Sequence, residues 1–239
     1  MNKWWKKGSH SADILVVGAH PDDAELLAGG SIAKMTLSGK ELIIADMTQA
    51  ELSTNGNKKS RIKETNQASE ILKIKNRVNF CLKDGFLNRE AEMCDKLVAL
   101  IREVKPKLIL APPLGCRHPD HEALASVIKD AVYYSGLKKY LPKFPYCKRP
   151  NTINYFEVEG VKPNFCIDIS DTFEIKMKAI MAYESQFVLG NKNTKTYINS
   201  GIVDMVERRC RDWGGKLGVE YAEPFLCDNP LLLDSFILG

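Results

Sequence analysis

The chain of 239 residues lacks any Cys-x-x-Cys pair, although it carries seven cysteines, Cys81, Cys94, Cys116, Cys147, Cys166, Cys210 and Cys227. An odd, scattered set of this kind speaks against a zinc ribbon and against a disulfide framework, and a reducing compartment is its simplest home. No run of about 18 apolar residues occurs, so no membrane span is expected. The start "MNKWWKKGSHSADILVVGA" offers a charged beginning, but the apolar run from Ile14 to Ala19 is too short for a secretory signal. These absences together predict a cytoplasmic protein. Charge of one sign is also missing: 34 basic against 30 acidic residues give a net +4. Without a dense Lys/Arg block that balance argues against a nucleic-acid partner. The one local excess, Lys3, Lys6 and Lys7 beside Trp4 and Trp5, reads as a solvated tail over residues 1–12, with a peripheral membrane contact as the weaker reading. Internal repeats and low-complexity tracts are absent.

What is present is enough apolar residue, 44%, to bury a full core, and residues 13–239 are expected to form one domain. Four short, β-branched-rich runs, "DILVVGA", "ELIIADMT", "RVNFCL" and "KLILAPP", alternate with helix-length patterns over Ala24 to Leu37, Lys59 to Leu72 and Arg89 to Val104. That alternation predicts an α/β fold, a three-layer Rossmann-like arrangement with a mostly parallel central sheet. "HPDHEALASVIKDAVYYSG" continues as an amphipathic helix ending at Gly136, and "LKKYLPKFPYCKRPN" then reads as a surface loop. Two further strands, "TINYFEVEG" and "NFCIDIS", precede a helix from Thr172 to Tyr183 capped by Asp171. Residues Asn191 to Asn199 read as a polar loop, and Ile202 to Arg211 as a last helix.

Histidine is scarce, with four residues in the chain, and three of them sit just past two expected strand ends. "LVVGAHPDDAELLAGG" closes the first strand with His20, Pro21, Asp22 and Asp23; "APPLGCRHPDHEA" closes the fourth with Arg117, His118, Pro119, Asp120 and His121. Crowded ionisable groups at a strand tip repel unless a cation or a strong hydrogen-bond network compensates. Ligands of open α/β sheets bind at the carboxyl ends of strands, so the two segments converge if their strands are neighbours. A catalytic zinc site needs imidazole nitrogens and a carboxylate with one position left for water, and His20, Asp23 and His121 can supply that set. Asp22, Asp120 and His118 are then left over, the residue types that serve as base, oxyanion stabiliser or imidazole orienter. Spacing alone does not choose between Asp22 and Asp120 as base, and either carboxylate is equally suited to cap its helix.

The residues "GAHPDDAELLAGGSIAK" and "RHPDHEA" resemble the LmbE-like, or PIG-L-like, zinc-dependent N-acetylglucosaminyl deacetylases. The likeness continues in "TQAELSTNGNKKSRIKET", "ISDTFEIKMKAIMAYESQF" and "GVEYAEPFL", which are similar to the branch acting on N-acetyl-glucosaminyl malate in bacillithiol biosynthesis. The resemblance implies zinc, with iron or cobalt as alternatives, on His20, Asp23 and His121. It implies Asp22 as general base, His118 at the oxyanion or leaving amine, and Asp120 holding a histidine in its working tautomer. It further implies substrate contacts from Arg61 and Glu51, a small N-acetylglucosaminide as substrate, and a homo-oligomer, trimer or hexamer, while Arg117, beside the second motif, is a candidate fork for the malate carboxylates. The tyrosine expected after Gly201 is replaced by Ile202, and nearby Tyr197 is its candidate substitute.

Overall fold

The computed structural model describes residues 11–89, 92–155, 163–188, 194–196 and 201–228. Its elements follow in the order β1 (Ile14–Gly18), α1 (Asp23–Leu37), β2 (Leu42–Thr48), α2 (Lys58–Ile71), β3 (Asn76–Leu82), a 3-10 turn (Leu87–Arg89), α3 (Met93–Val104), β4 (Leu108–Ala111), α4 (Pro119–Ser135), β5 (Asn151–Tyr155), β6 (Phe165–Asp168), α5 (Phe173–Met181), α6 (Glu184–Phe187), α7 (Ile202–Leu217) and β7 (Ala222–Leu226). The seven strands form one sheet in the order β3-β2-β1-β4-β5-β7-β6. The first five are parallel, and β7 runs antiparallel to both of its neighbours.

β1 and β2 are buried along their whole length because both sheet faces are covered, which is why they read as unbroken apolar runs. Alternate residues serve opposite layers. Leu15, Val17, Ile43, Ala45, Ile109 and Ala111 join the core under α3 and α4. Ile14, Val16, Leu42, Ile44 and Leu110 join the core under α1 and α5. Burying each such side chain contributes roughly 1.5–3 kcal/mol, so the layers hold the strand ends in fixed positions. The α/β three-layer arrangement is the expected one. β1 pairs with β2 on one side and β4 on the other, so the order reverses between the two strands that carry the histidine motifs.

Several boundaries differ from the sequence reading. α3 begins at Met93, after a 3-10 turn at Leu87–Arg89. Asp171 does not cap α5: Thr172 holds that position, and Asp171 instead meets Lys34 at 3.1 Å. α7 runs six residues past Arg211, through Gly214, where a Cβ would come within 2.5 Å of the Glu220 carbonyl; glycine lets the chain turn back into β7 against its own helix. β7 itself escaped the sequence reading because its five residues include Glu223 and Pro224. Glu223 is 1% exposed and tied to Lys176 at 2.6 Å. Ala12, at the end of the expected tail, is already buried, its amide donating to the Val104 carbonyl.

Candidate active site

Gly18 ends β1, and a Cβ there would stand 3.2 Å from both the Asp23 Cβ and the His20 carbonyl, so a side chain would press on the tight His20-Pro21-Asp22-Asp23 turn. Asp22 occupies the N-cap position of α1 at φ 111°, a region non-glycine residues avoid, and its side chain makes no capping bond. That carboxylate is instead held by Arg61, whose Nη2 donates to Asp22 Oδ2 at 3.0 Å and to the Pro21 carbonyl at 2.5 Å. Asp23 accepts the His20 backbone N–H at 2.9 Å.

The loop after β4 delivers the second segment. His118 is the N-cap of α4, with Pro119 at the first helical position, and its Nδ1 accepts from the Asp120 amide at 3.3 Å. The three rings gather: centroids lie 4.8 Å apart for His20 and His118, 4.8 Å for His118 and His121, and 5.4 Å for His20 and His121. Asp23 stands between two of them, with Oδ2 3.7 Å from His20 Nδ1 and Oδ1 3.4 Å from His121 Nε2. The far nitrogen of His20, Nε2, faces Asp84 Oδ1 at 3.1 Å and Asp120 Oδ2 at 3.4 Å. The far nitrogen of His121, Nδ1, lies 3.4 Å from Cys116 Sγ.

Charge here is unbalanced. Burial disfavours an imidazolium at His20, yet its hydrogen bonds to Asp120 and Asp84 and the nearby Asp23 outweigh that cost and push its pKa up to about 10. Burial raises the Asp22 carboxyl to about 6, against the opposing pull of Arg61. Asp23 moves the other way, its burial outweighed by His121 and His20. Burial, then the neighbouring His20 and His121, depress His118.

The donor set fits a metal. His20 Nδ1, Asp23 and His121 Nε2 turn toward one another while the outer face of His20 is braced by carboxylates, the usual way a metal-binding imidazole is oriented. Two groups place one ligand atom each within 4.8 Å of one another, His20 with His118 and His121, and His20 with Asp84 and Asp120. The second of these is occupied by hydrogen bonds: Asp84 Oδ2 accepts the Leu52 amide at 2.8 Å, and Asp120 accepts the Gly85 and Leu87 amides at 2.7 and 3.1 Å.

Of the expected residues, His20, Asp22, Asp23, His118, Asp120 and His121 come together with Arg61. Arg61 is 3% exposed and grips Asp22, so it is not an open carboxylate fork. Arg117 is exposed on the loop before α4. Glu51 is exposed near the site, and its Oε1 accepts the Asp84 amide at 3.1 Å. Tyr197 lies outside the described residues. Ile202 opens α7 and is half-buried. Sequence reasoning missed Asp84, just past the end of β3 in "CLKDGF"; its signal was the one that exposed the other two segments, a carboxylate beyond the carboxyl end of a parallel strand.

The PIG-L family, described as GlcNAc-PI de-N-acetylase, matches residues 15–132, the span that holds both motifs. A probable N-acetyl-alpha-D-glucosaminyl L-malate deacetylase 2 from Bacillus cereus is 31% identical over 193 residues, covering 72% of this chain and 83% of that protein. The chain belongs to the PIG-L family. Another relative, the diacetylchitobiose deacetylase of Thermococcus kodakarensis, is 29% identical over 190 residues, 73% of this chain and 70% of its own. Among solved structures, a conserved protein from Thermus thermophilus superposes with a TM-score of 0.84 at 34% identity, over 95% of this chain and 100% of that one. The family match covers β1 to β4, both motif turns and the helices that follow them as far as Val132 in α4.

Proposed function

We propose that this PIG-L family chain is a metal-dependent N-deacetylase that hydrolyses the acetamide of an N-acetylglucosamine conjugate, releasing acetate and a free amine. The observation that carries the reading is the convergence of His20, Asp23 and His121 beside an Asp22 that Arg61 fixes in a strained turn. His20, Asp23 and His121 would hold the ion, with zinc as the first choice and iron or cobalt as alternatives. A cation there supplies Lewis acidity, lowering the pKa of a water from 15.7 toward about 7 and polarising the amide carbonyl. Asp22 accepts the proton of the attacking water, with Arg61 on Oδ2 keeping the carboxylate aimed. His118, exposed and stacked on His121, faces the developing oxyanion and the leaving nitrogen, to which it donates a proton. Asp120 and Asp84 fix the His20 ring.

The finer expectation is N-acetyl-glucosaminyl malate, supported by the Bacillus relative. The burial of Arg61 favours a second reading, a neutral N-acetylated oligosaccharide, because it leaves Arg117 as the exposed cation of the expected pair for malate carboxylates. The Thermococcus relative supports that reading. Acetate release from the malate glycoside, diacetylchitobiose and simple N-acetylglucosaminides, with metal content measured on the same sample and after chelation, separates them. Chelation should abolish release; no release from any N-acetylglucosaminide by metal-loaded protein would refute the deacetylase reading.

A further inference from the structure

The end of the sheet opposite the histidines carries a second feature that deacetylation does not use. Between Asp130 and Glu157 the chain holds Lys138, Lys139, Lys143, Lys148 and Arg149 and no acidic residue. Lys148 and Arg149 join Lys105 and Lys107 around the exposed Tyr146 to line a cleft of about 580 Å³ where β4 and β5 begin. These seven cations exceed the net charge of +4 for the whole chain. Asp13 takes Lys107 at 2.9 Å, but among the described residues no ion pair involves Lys105, Lys138, Lys139, Lys143 or Lys148. Lysines near the ends of α3 and α4 suit the helix dipoles, yet two helix ends account for only part of such an excess.

The segment is also built to hold its shape. Arg102, 2% exposed, reaches under it and donates to six carbonyls: Tyr134, Ser135 and Leu137 at the end of α4, then Tyr140, Leu141 and Phe144 in the loop. A buried guanidinium spent wholly on loop carbonyls fixes the backbone from which the lysines project. Tyr133 and Tyr146 stand 55% and 56% exposed on the same segment. Residues 1–10, with Lys3, Trp4, Trp5, Lys6 and Lys7, lie outside the described residues.

We propose that this face docks the protein on an anionic phospholipid bilayer. Lysine point charges, six of the seven cations, suit a diffuse anionic surface better than the bidentate phosphate contacts that favour arginine. The exposed Tyr133 and Tyr146 suit the headgroup level. Docked in this way, the carboxyl ends of the strands point away from the bilayer, so the candidate active site faces water and a water-soluble substrate.

The test is co-sedimentation of the full chain with phosphatidylglycerol vesicles and with phosphatidylcholine vesicles, at about 0.05 and 0.5 M salt. Binding is expected to the anionic vesicles alone and to weaken strongly at the higher salt. Each lysine near such a surface contributes on the order of fivefold in partitioning. The quadruple variant Lys138→Gln, Lys139→Gln, Lys143→Gln, Lys148→Gln should therefore bind at least about 100-fold more weakly, with an unchanged melting temperature to show that the exposed changes leave the fold intact. Equal binding to both vesicle types, or full binding by the quadruple variant, overturns the proposal. So does binding to a DNA duplex without vesicle binding, which assigns the face to nucleic acid. A lysine-dependent change in oligomeric state without vesicle binding overturns it too, and assigns the face to a second copy.

Discussion

Buried charge clusters of two kinds border α1. Midway along the helix, Lys176 and Glu223, 0% and 1% exposed, meet at 2.6 Å. The ammonium also donates to the Glu25 and Leu26 carbonyls, and the carboxylate accepts the Gly30 and Ser31 amides. The pair thus sits as a splice in the helix, the cation toward the carbonyl end of the first turns and the anion on amides of the turns that follow, each at the pole that favours it. Arg77, Glu25 and Asp46 form a similar set in which one guanidinium answers two carboxylates. At the N-terminus of the same helix Asp22, Asp23, Asp84 and Asp120 crowd three imidazoles, with Arg61 the one fixed cation paired to them among the described residues. The balanced Lys176–Glu223 pair holds α1 in place, and the excess of carboxylates at its N-terminus is where the proposed cation would sit.

The sharpest way to break that contrast is at Asp22. Asp22→Asn should lower kcat for acetate release by about 10²–10⁴-fold, the range for a lost general base. Metal content should stay the same, because the metal donors proposed are His20, Asp23 and His121. A variant within tenfold of the parent would remove Asp22 from the reaction and return it to a merely structural place in the turn.

The balanced cluster should respond in stability first. Lys176→Met leaves Glu223 buried without its cation and should cost about 3–5 kcal/mol in urea unfolding. Lys176→Met combined with Glu223→Gln should recover much of that loss, since no charge is then stranded. A single variant costing under about 1 kcal/mol would mean that solvent reaches the pair and that the two clusters do not differ in kind.

What could be read from the sequence follows the same division. The parallel strands were legible because strands buried on both faces are written as unbroken apolar runs. The two motif turns were legible because histidine is scarce and the acidic pairs end such runs. Neither buried pair was, since Lys176, Glu223 and Arg77 meet partners 47 or more residues away in the first case and 31 and 52 residues away in the second, and a charged residue in an amphipathic pattern reads as surface. Glu223 with Pro224 hid β7 for that reason. Arg61 was picked out, but its burial against Asp22 depends on how α2 packs beside the turn, which no spacing reveals.

Asp84 is the residue on which the two kinds of cluster meet, and it sharpens the contrast most finely. One oxygen faces His20 Nε2 at 3.1 Å, the other accepts the Leu52 amide at 2.8 Å, so it is both a structural anchor for the turn after β2 and a brace for a proposed metal ligand. Asp84→Asn can keep the Leu52 bond through its carbonyl oxygen, but it then turns an N–H group toward an imidazole nitrogen that must carry the proton if Nδ1 is to bind metal. Metal affinity should fall by about 10–100-fold, the usual cost of losing such a brace. The fall stays partial because Asp120 remains 3.4 Å from the same nitrogen. Turnover at saturating metal should be nearly restored and the urea midpoint little changed. Metal titration followed by calorimetry reads the first quantity, and metal-saturated kinetics the second. An unchanged affinity with a lowered urea midpoint would place Asp84 wholly with the balanced, structural charges.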